Sequence, residues 1–175
     1  MIDASMRRNV EIKARIKNLK ELEERIAAIA DSGPVYIDQD DTFFNCRSGY
    51  LKLRKFSAAK GELIHYRRDG NPGPRKCEYM ISETTDPDNL KILLTVAFGE
   101  MGTVIKRRTL YMIGKTRIHL DLVEGLGEFI ELEVVLSQQQ SVSEGRDIVE
   151  SLMKRLGINV SDLIERPYID LIGGE

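Results

Sequence analysis

Apolar and polar residues alternate along much of the chain, a pattern typical of β-strands that bury one face. In the segment NVEIKARI, at residues 9–16, the odd positions are all polar and the even positions are all apolar. Glu11 therefore shares a face with Lys13, and Ile12 lies on the opposite face. The same alternation predicts seven further strands: VYIDQDDTFF, GYLKLRKF, ELIHYRRD, KCEYMISE, TVIKRRTLYMIG, KTRIHLDLVEG and EFIELEVVL.

Three other segments place apolar residues at helical spacing, with capping residues at their ends. Helices that interrupt a long run of antiparallel strands indicate an α+β fold. The stretch DGNPGPR, rich in Gly and Pro, predicts a hairpin connection. The predicted limits are Asn18 and Ser32-Gly33-Pro34 for the first helix, Asp86-Pro87 and Gly99 for the second, and Ser143 and Gly157 for the third.

The composition limits the class of protein. The chain has 175 residues, which suits a single domain over residues 1–175, and 42% of them are hydrophobic, enough for a globular core. A net charge of −2 gives no overall basic field that would attract nucleic acid. No apolar run approaches the roughly 20 residues of a membrane span, and MIDASMRRN lacks the pattern of a signal peptide. Cys46 and Cys77 form neither a disulfide framework nor a metal-finger spacing, so we expect a cytoplasmic protein. From the charge and the absence of a long apolar run, we expect no nucleic-acid or membrane partner.

Charged residues follow the polar face of most predicted strands, and they are sorted by strand. Basic pairs fall on the middle strands, whereas acidic pairs fall near both ends of the chain. An open antiparallel sheet with one face in solvent would explain such a pattern, and this is the usual arrangement. A closed barrel would instead turn the charges inward. In ELIHYRRD the register is not fixed, since either Tyr66 with Arg68 or His65 with Arg67 can lie on the charged face.

A barrel with several inward cations needs a matching polyanion, because unpaired charges are prohibitively costly to bury in a dry interior. Phosphates satisfy several Lys and Arg side chains at once through charge-assisted hydrogen bonds. Carboxylates cannot bind phosphate directly, but they can hold a divalent metal ion that bridges to it. In this interpretation Glu11 binds the metal ion, and the neighbouring Lys13 binds the phosphate.

The motifs, taken together and in order, resemble those of the CYTH family within the triphosphate tunnel metalloenzymes. The resemblance covers nearly the whole chain and implies an α+β fold with a closed eight-stranded antiparallel β-barrel and covering helices. It also implies a tunnel for a small-molecule triphosphate and dependence on Mg²⁺ or Mn²⁺. A homodimer is compatible with the family, although the sequence indicates no interface. The motifs are NVEIKARI, DDTFF, GYLKLR, VIKRR, HLDLVEGLGEFIELE and ERPYIDLI.

The resemblance also implies roles for individual residues. Glu11 and Lys13 match the second Glu and the Lys of the family's ExExK motif, and Glu131 and Glu133 match the ExE of a late strand. We expect these four residues to be catalytic. The expected metal ligands are Glu11, Asp121, Glu131 and Glu133, and the expected substrate contacts are Lys13, Lys52, Arg54, Arg68, Arg75, Lys106, Arg108 and Tyr168.

Asn9 departs from the family pattern, because it stands where ExExK has its first Glu. An amide oxygen binds metal more weakly than a carboxylate, so we expect one metal site to be weakened, shifted or served by another acid. Three functions are consistent with these residues. The first is hydrolysis of tripolyphosphate or a small organic triphosphate. The second is cyclisation of ATP to cyclic AMP and pyrophosphate, as in class IV adenylyl cyclases, and the third is non-catalytic binding of polyphosphate or a nucleotide.

Overall fold

Eight β-strands form the main part of the structure, a computed structural model that describes residues 6–70 and 73–173. Each of them coincides with one of the alternating segments, so the prediction of eight strands is confirmed. In chain order they are Arg7–Arg15 (β1), Ser32–Phe44 (β2), Tyr50–Ser57 (β3), Lys60–Arg68 (β4), Arg75–Thr84 (β5), Glu100–Ile113 (β6), Thr116–Val123 (β7) and Gly127–Leu136 (β8).

The strands close into a barrel in the order β1-β5-β4-β3-β2-β6-β7-β8, and each neighbouring pair is antiparallel. β1 completes the barrel, because it pairs with β5 on one side and with β8 on the other. Glu11 accordingly lies opposite Arg75 on β5 and opposite Glu133 on β8. The predicted α+β fold with a closed eight-stranded barrel is confirmed, and the alternative of an open sheet is excluded.

Within the described part of the chain, four α-helices accompany the barrel, one more than the sequence predicts. Asn18 caps the first helix by accepting a hydrogen bond from the Glu21 amide, and Asp86 and Gly99 bound the second, as predicted. A 3₁₀ turn at Val160–Asp162 precedes the fourth helix. The helices are Leu19–Ala27 (α1), Pro87–Phe98 (α2), Val142–Leu156 (α3) and Tyr168–Ile172 (α4).

Two predicted helix limits are wrong. α1 ends at Ala27, and Ser32-Gly33-Pro34 opens β2 instead of ending the helix. The cap of α3 is Ser141, not Ser143, because Ser141 and Glu144 form a reciprocal capping box in which each side chain bonds the other's backbone amide. The predicted stop at Gly157 is confirmed, since this residue adopts the left-handed conformation with φ of 73°.

The largest apolar core lies outside the barrel, between the outward faces of β1, β7 and β8 and the helices α1 and α3. Ile118 and Leu132 on the strands and Val149 on α3 are fully buried there. Burial of each such side chain stabilises the fold by about 1.5–3 kcal/mol. At Gly145 an added Cβ would lie 2.7 Å from Val10 Cγ2, which shows how closely α3 approaches β1.

A second layer covers the opposite side of the barrel. There Leu94 of α2 packs against Phe44 and Leu53 of β2 and β3. The outer side of α2 is also apolar, and its Leu93 and Val96 are exposed. The structure holds one chain, so the homodimer stays a prediction.

The remaining sequence predictions concern the connections and the ends of the chain. The stretch DGNPGPR joins β4 to β5 as expected, but its residues 71 and 72 lie outside the described residues. The first five residues of MIDASMRRN also lie outside them. Within the described residues, no helix has the length and apolar character needed to cross a membrane.

Candidate active site

The inward faces of the strands enclose a cavity of about 330 Å³. Ten of the twelve site residues predicted from the sequence line it, and the two exceptions are Arg75 and Asp121. On β4 the register places Tyr66 and Arg68 inside, whereas His65 and Arg67 lie outside and contact Ser48. The ten residues are Glu11, Lys13, Lys52, Arg54, Arg68, Lys106, Arg108, Glu131, Glu133 and Tyr168.

The acidic wall of the cavity is formed by β1 and β8, whose carboxylates are each paired with a base. Glu11 lies 2.6 Å from the Arg68 guanidinium. Glu131 lies 3.2 Å from the Lys13 ammonium and also contacts Arg108 at 2.6 Å. The strand register explains the contact between Lys13 and Glu131, because these two residues lie directly opposite each other.

Glu133 is held by two donors. Asn9 Nδ2 donates to one carboxylate oxygen at 2.5 Å, and Arg117 Nη1 donates to the other at 3.1 Å. Asn9, the position that departs from the family pattern, therefore contacts a predicted metal ligand directly. Its own carbonyl oxygen Oδ1 is buried and has no hydrogen-bond partner among the described residues.

A basic pair on β6 is anchored by Asp121 on β7. Arg108 forms a two-pronged contact with Asp121, through Nε and Nη2, each at 2.6 Å, and Lys106 Nζ approaches the same carboxylate at 3.2 Å. Tyr168 adds a hydroxyl hydrogen bond at 3.0 Å. Asp121 is 1% exposed and does not line the cavity. Its oxygens are occupied by these three side chains in the structure, and its predicted metal role stays a prediction.

A second basic pair, on β3, is anchored in the same way by Asp41 on β2. Arg54 donates Nε to Oδ1 at 2.8 Å and Nη2 to Oδ2 at 2.9 Å, and Lys52 Nζ donates to Oδ2 at 2.8 Å. Asp41 lies directly opposite Arg54 in the strand register. Asp41 lies in the motif DDTFF, but the motif by itself indicated no role for it.

Tyr168 lies at one end of the cavity, where the segment 163–172 crosses the barrel. The Ile164 amide donates to the Lys13 carbonyl at 2.8 Å, and Arg75 Nη2 donates to the Ile164 carbonyl at 3.3 Å. The Lys13 ammonium lies 3.6 Å from the centroid of the Tyr168 ring. Tyr168 is the first residue of α4, and this helix covers that end of the cavity. Arg75 holds the segment that leads to α4 through its bond to Ile164, and it does not line the cavity.

Burial and the paired charges shift the ionisation of the cavity residues. Burial lowers the pKa of Lys13 to about 8 and that of Lys52 to about 7. Burial by itself would raise the pKa of Glu131, but Lys13 and Arg108 hold it well below its usual range. The cavity therefore combines an ionised Glu131 with two lysines, Lys13 and Lys52, whose pKa values are lowered toward neutral pH.

Several buried polar atoms of the cavity have no hydrogen-bond partner among the described residues. They include Asn9 Oδ1, Gln39 Oε1, the Tyr79 hydroxyl and His119 Nδ1. Buried polar groups are normally hydrogen-bonded, so atoms of this kind favour a polar ligand or ordered water in the cavity. Burial lowers the pKa of His119, which favours the neutral imidazole.

The donor chemistry of the cavity fits a hard divalent cation. Glu11, Glu131, Glu133 and Asn9 Oδ1 provide the oxygen ligands that Mg²⁺ and Mn²⁺ prefer. Within residues 6–70 and 73–173 no three acidic, histidine or cysteine side chains are already grouped at metal-binding distance. The reason is visible in the ion pairs, since each carboxylate currently faces a base or an amide.

Several residues that line this cavity were not predicted from the sequence. Alternation alone could have identified Asp41, because it shares the inward face of β2 with Gln39. Arg117 and His119 follow the same rule on β7, where the sequence assigned a role only to Asp121. Cys77 lines the cavity too, and burial raises the pKa of its thiol, so it favours the unreactive form.

Comparison with known proteins agrees with this geometry. The family model of the CYTH domain matches residues 7–168. The adenylate cyclase CyaB of Aeromonas hydrophila is 29% identical over 98 residues, which are 55% of this chain and 50% of that protein. This chain thus aligns with half the length of that relative.

Two of the solved structures that resemble the fold illustrate the comparison. A Pyrococcus horikoshii protein, PH1012, superposes with a TM-score of 0.81 at 26% identity and covers 93% of this chain and 98% of its own. An adenylyl-cyclase-like protein from Hippeastrum, described as having a dominant triphosphatase activity, superposes with a TM-score of 0.62 at 19% identity, over 86% of this chain and 88% of its own. The closed barrel and its charged interior are consistent with the triphosphate tunnel class. Within that class, the chain belongs to the CYTH domain family.

Proposed function

We propose that the protein is a metal-dependent enzyme that hydrolyses tripolyphosphate or a small organic triphosphate in the barrel cavity. The observation that carries this proposal is the enclosure of six bases in one small space. A chain of phosphates supplies enough acceptor oxygens to satisfy many of them at once. The six are the predicted contacts Lys13, Lys52, Arg54, Arg68, Lys106 and Arg108, and Arg7 and Arg117 also line the cavity.

Binding would exchange the partners of these charges. Lys13, Arg68 and Arg108 now face carboxylates, and phosphate oxygens would take over their hydrogen bonds. The carboxylates released in this way could then bind cations. The bases would orient the phosphate chain and balance the charge that develops on the leaving group during transfer.

Glu11, Glu131 and Glu133 are the residues that would hold Mg²⁺ or Mn²⁺. When bound, such an ion would neutralise phosphate charge and polarise the phosphorus–oxygen bonds. Water, oriented by one of the carboxylates, would attack the terminal phosphorus. The bond to the bridging oxygen would break, which releases orthophosphate and a diphosphate.

A relative's name supports a second candidate, cyclisation of ATP. The Aeromonas relative is named an adenylate cyclase, and the same cavity could orient a ribose hydroxyl toward the α-phosphorus. Pyrophosphate would then leave in place of orthophosphate. The Hippeastrum protein supports the first candidate, since the description of that protein as a triphosphatase shows that the fold is compatible with hydrolysis.

One assay separates the candidates. Purified protein is incubated with ATP, thiamine triphosphate or tripolyphosphate, each with Mg²⁺ or Mn²⁺, and the products are identified. Orthophosphate supports the hydrolase, and cyclic AMP with pyrophosphate supports the cyclase. Tight binding without either product would contradict both and favour a non-catalytic binding module.

Two variants test the metal ligands. Glu133→Gln should lose most of the metal-dependent rate while it stays folded, whereas Glu128→Gln, on the outer face of the same strand, should retain it. Full activity of Glu133→Gln would show that the metal assignment is wrong. Asn9→Glu restores the acid of the family motif, and a gain in rate would mean that the missing carboxylate limits catalysis.

A further inference from the structure

The cavity contains two anchoring clusters with the same construction. In each, a strand carries Lys and Arg two residues apart, and an aspartate on the neighbouring strand lies directly opposite the Arg. Asp41 holds one pair and Asp121 holds the other, each through a forked contact to the Arg and one contact to the Lys. We call them the Asp41 cluster (Asp41, Lys52, Arg54) and the Asp121 cluster (Asp121, Lys106, Arg108).

We infer that Asp41 is a positioning residue, which fixes Lys52 and Arg54 as one of two arms that grip the phosphate chain. This inference deepens the proposed function and rests on it. Asp41 acts through the two bases and not by contact with the substrate, because a carboxylate repels phosphate.

The burial of the three side chains supports a contact of the substrate with the two bases and not with Asp41. Asp41 is 2% exposed, whereas the side chains of Lys52 and Arg54 are each 13% exposed. The bases are thus more accessible than the acid that holds them. A forked Arg–carboxylate contact fixes the plane of the guanidinium, and it leaves the terminal nitrogen Nη1 available to another acceptor.

The charge balance gives Asp41 a second effect. Two neighbouring cations repel each other, and one carboxylate between them reduces that repulsion, while each cluster has a net charge of +1 when its lysine is protonated. The cluster therefore remains attractive to a polyanion. Without Asp41, Lys52 and Arg54 would separate and lose the geometry needed to bind one phosphate together.

Asp41→Asn tests the inference, because two explanations predict opposite signs. The substitution makes the cavity more positive by one charge. If Asp41 contributed only its charge, tripolyphosphate would bind more tightly. If Asp41 positions the arm, binding weakens by about tenfold or more, since hydrogen bonds of the arm are lost.

Binding is measured by calorimetry with tripolyphosphate in the absence of metal, next to steady-state kinetics with Mg²⁺ that separate KM from kcat. For Asp41→Asn we expect a larger Kd and a higher KM than for the wild type. Asp40→Asn is the matched control, because Asp40 is the adjacent residue and lies outside the cavity lining. It removes the same charge and should change the Kd by less than about twofold.

Arg54→Lys keeps the charge but removes the fork, so it tests the same idea if Asp41→Asn fails to fold. It should weaken binding by a similar factor. Unchanged or tighter binding in either folded variant overturns the positioning role and leaves the proposed function standing. If the wild-type protein did not bind tripolyphosphate, both the positioning role and the proposed function would be overturned.

Discussion

The two faces of the barrel wall contribute different things, and β8 shows this most clearly. Leu132 points outward and is fully buried under the helices, whereas its neighbour Glu131 points inward and pairs with Lys13. Apolar contacts outside are non-directional and stabilise the fold by area. Buried ion pairs inside contribute little net stability, because desolvation offsets their attraction. The outer face therefore maintains the barrel, and the inner face is available for binding.

The largest expected effect is on the outer face. Leu132→Ala should lower the free energy of unfolding by about 2–5 kcal/mol, because it leaves a cavity in the main core. Chemical denaturation monitored by circular dichroism measures this change. The affinity of the folded fraction for tripolyphosphate should stay the same. A loss below about 1 kcal/mol would contradict the division between the two faces.

The matching substitution on the inner face is Lys106→Ala. It should weaken tripolyphosphate binding by about 10- to 100-fold, since a charge-assisted hydrogen bond contributes about 1.5–3 kcal/mol. Its effect on unfolding should be smaller than that of Leu132→Ala. Lys115→Ala, which removes an exposed lysine in the β6–β7 turn, is the control for loss of charge. Equal binding by both variants would argue against phosphate contact at Lys106.

The pH dependence should run in opposite directions for stability and for binding. Burial lowers the pKa of Lys52 to about 7 in the folded chain, against 10.5 ordinarily. Between these two pH values, Lys52 is protonated more often in the unfolded chain than in the folded chain. The free energy of unfolding therefore rises with pH, by at most about 1.4 kcal/mol per pH unit. Binding of tripolyphosphate should fall over the same range, because Lys52 loses its charge.

Denaturation and calorimetry at pH 7, 8 and 9, without metal, check both trends. Lys52→Met provides the comparison, since it has no proton to lose at this position. The gain in stability with pH should be smaller in this variant than in the wild type. Identical slopes would mean that Lys52 does not titrate in this range.

The smallest effect is expected at the cap of α3. Ser141→Ala should lower stability by about 1 kcal/mol, because it breaks the capping box with Glu144. Ser143→Ala, inside the first turn, should change stability by less than about 0.5 kcal/mol. Neither variant should alter phosphate binding. Equal losses at both positions would contradict the assignment of the cap.

The strands were predictable because alternation is local. Each strand that buries one face against the helices must repeat with period two, and this pattern is present in the sequence itself. The start and stop of α2 were predictable for the same reason, since Asp86, Pro87 and Gly99 act within one turn. The cap of α3 was missed although Ser141 and Glu144 have the required spacing, because Ser143 offers a competing hydroxyl two residues later.

The short helix α4 could not be predicted in this way. It has five residues and is too short to show helical periodicity, and its position depends on Tyr168 meeting Asp121 and Lys13 from distant strands. The choice between Tyr66 with Arg68 and His65 with Arg67 was also open in sequence. Pairing of β4 with both of its neighbours settled it, since register decides which face turns inward.

By itself, then, the sequence determined which residues share a face and which chemistry that face carries, because side-chain period and charge are properties of the local chain. Only the tertiary structure decided which charges meet. Closure of β1 against β5 and β8 brought residues more than 100 positions apart into contact, as in the pair of Asn9 with Glu133. Pairing of β2 with β3 and of β6 with β7 placed Asp41 and Asp121 behind the bases that they hold. Such contacts depend on strand order and register across the whole barrel, which no local pattern encodes.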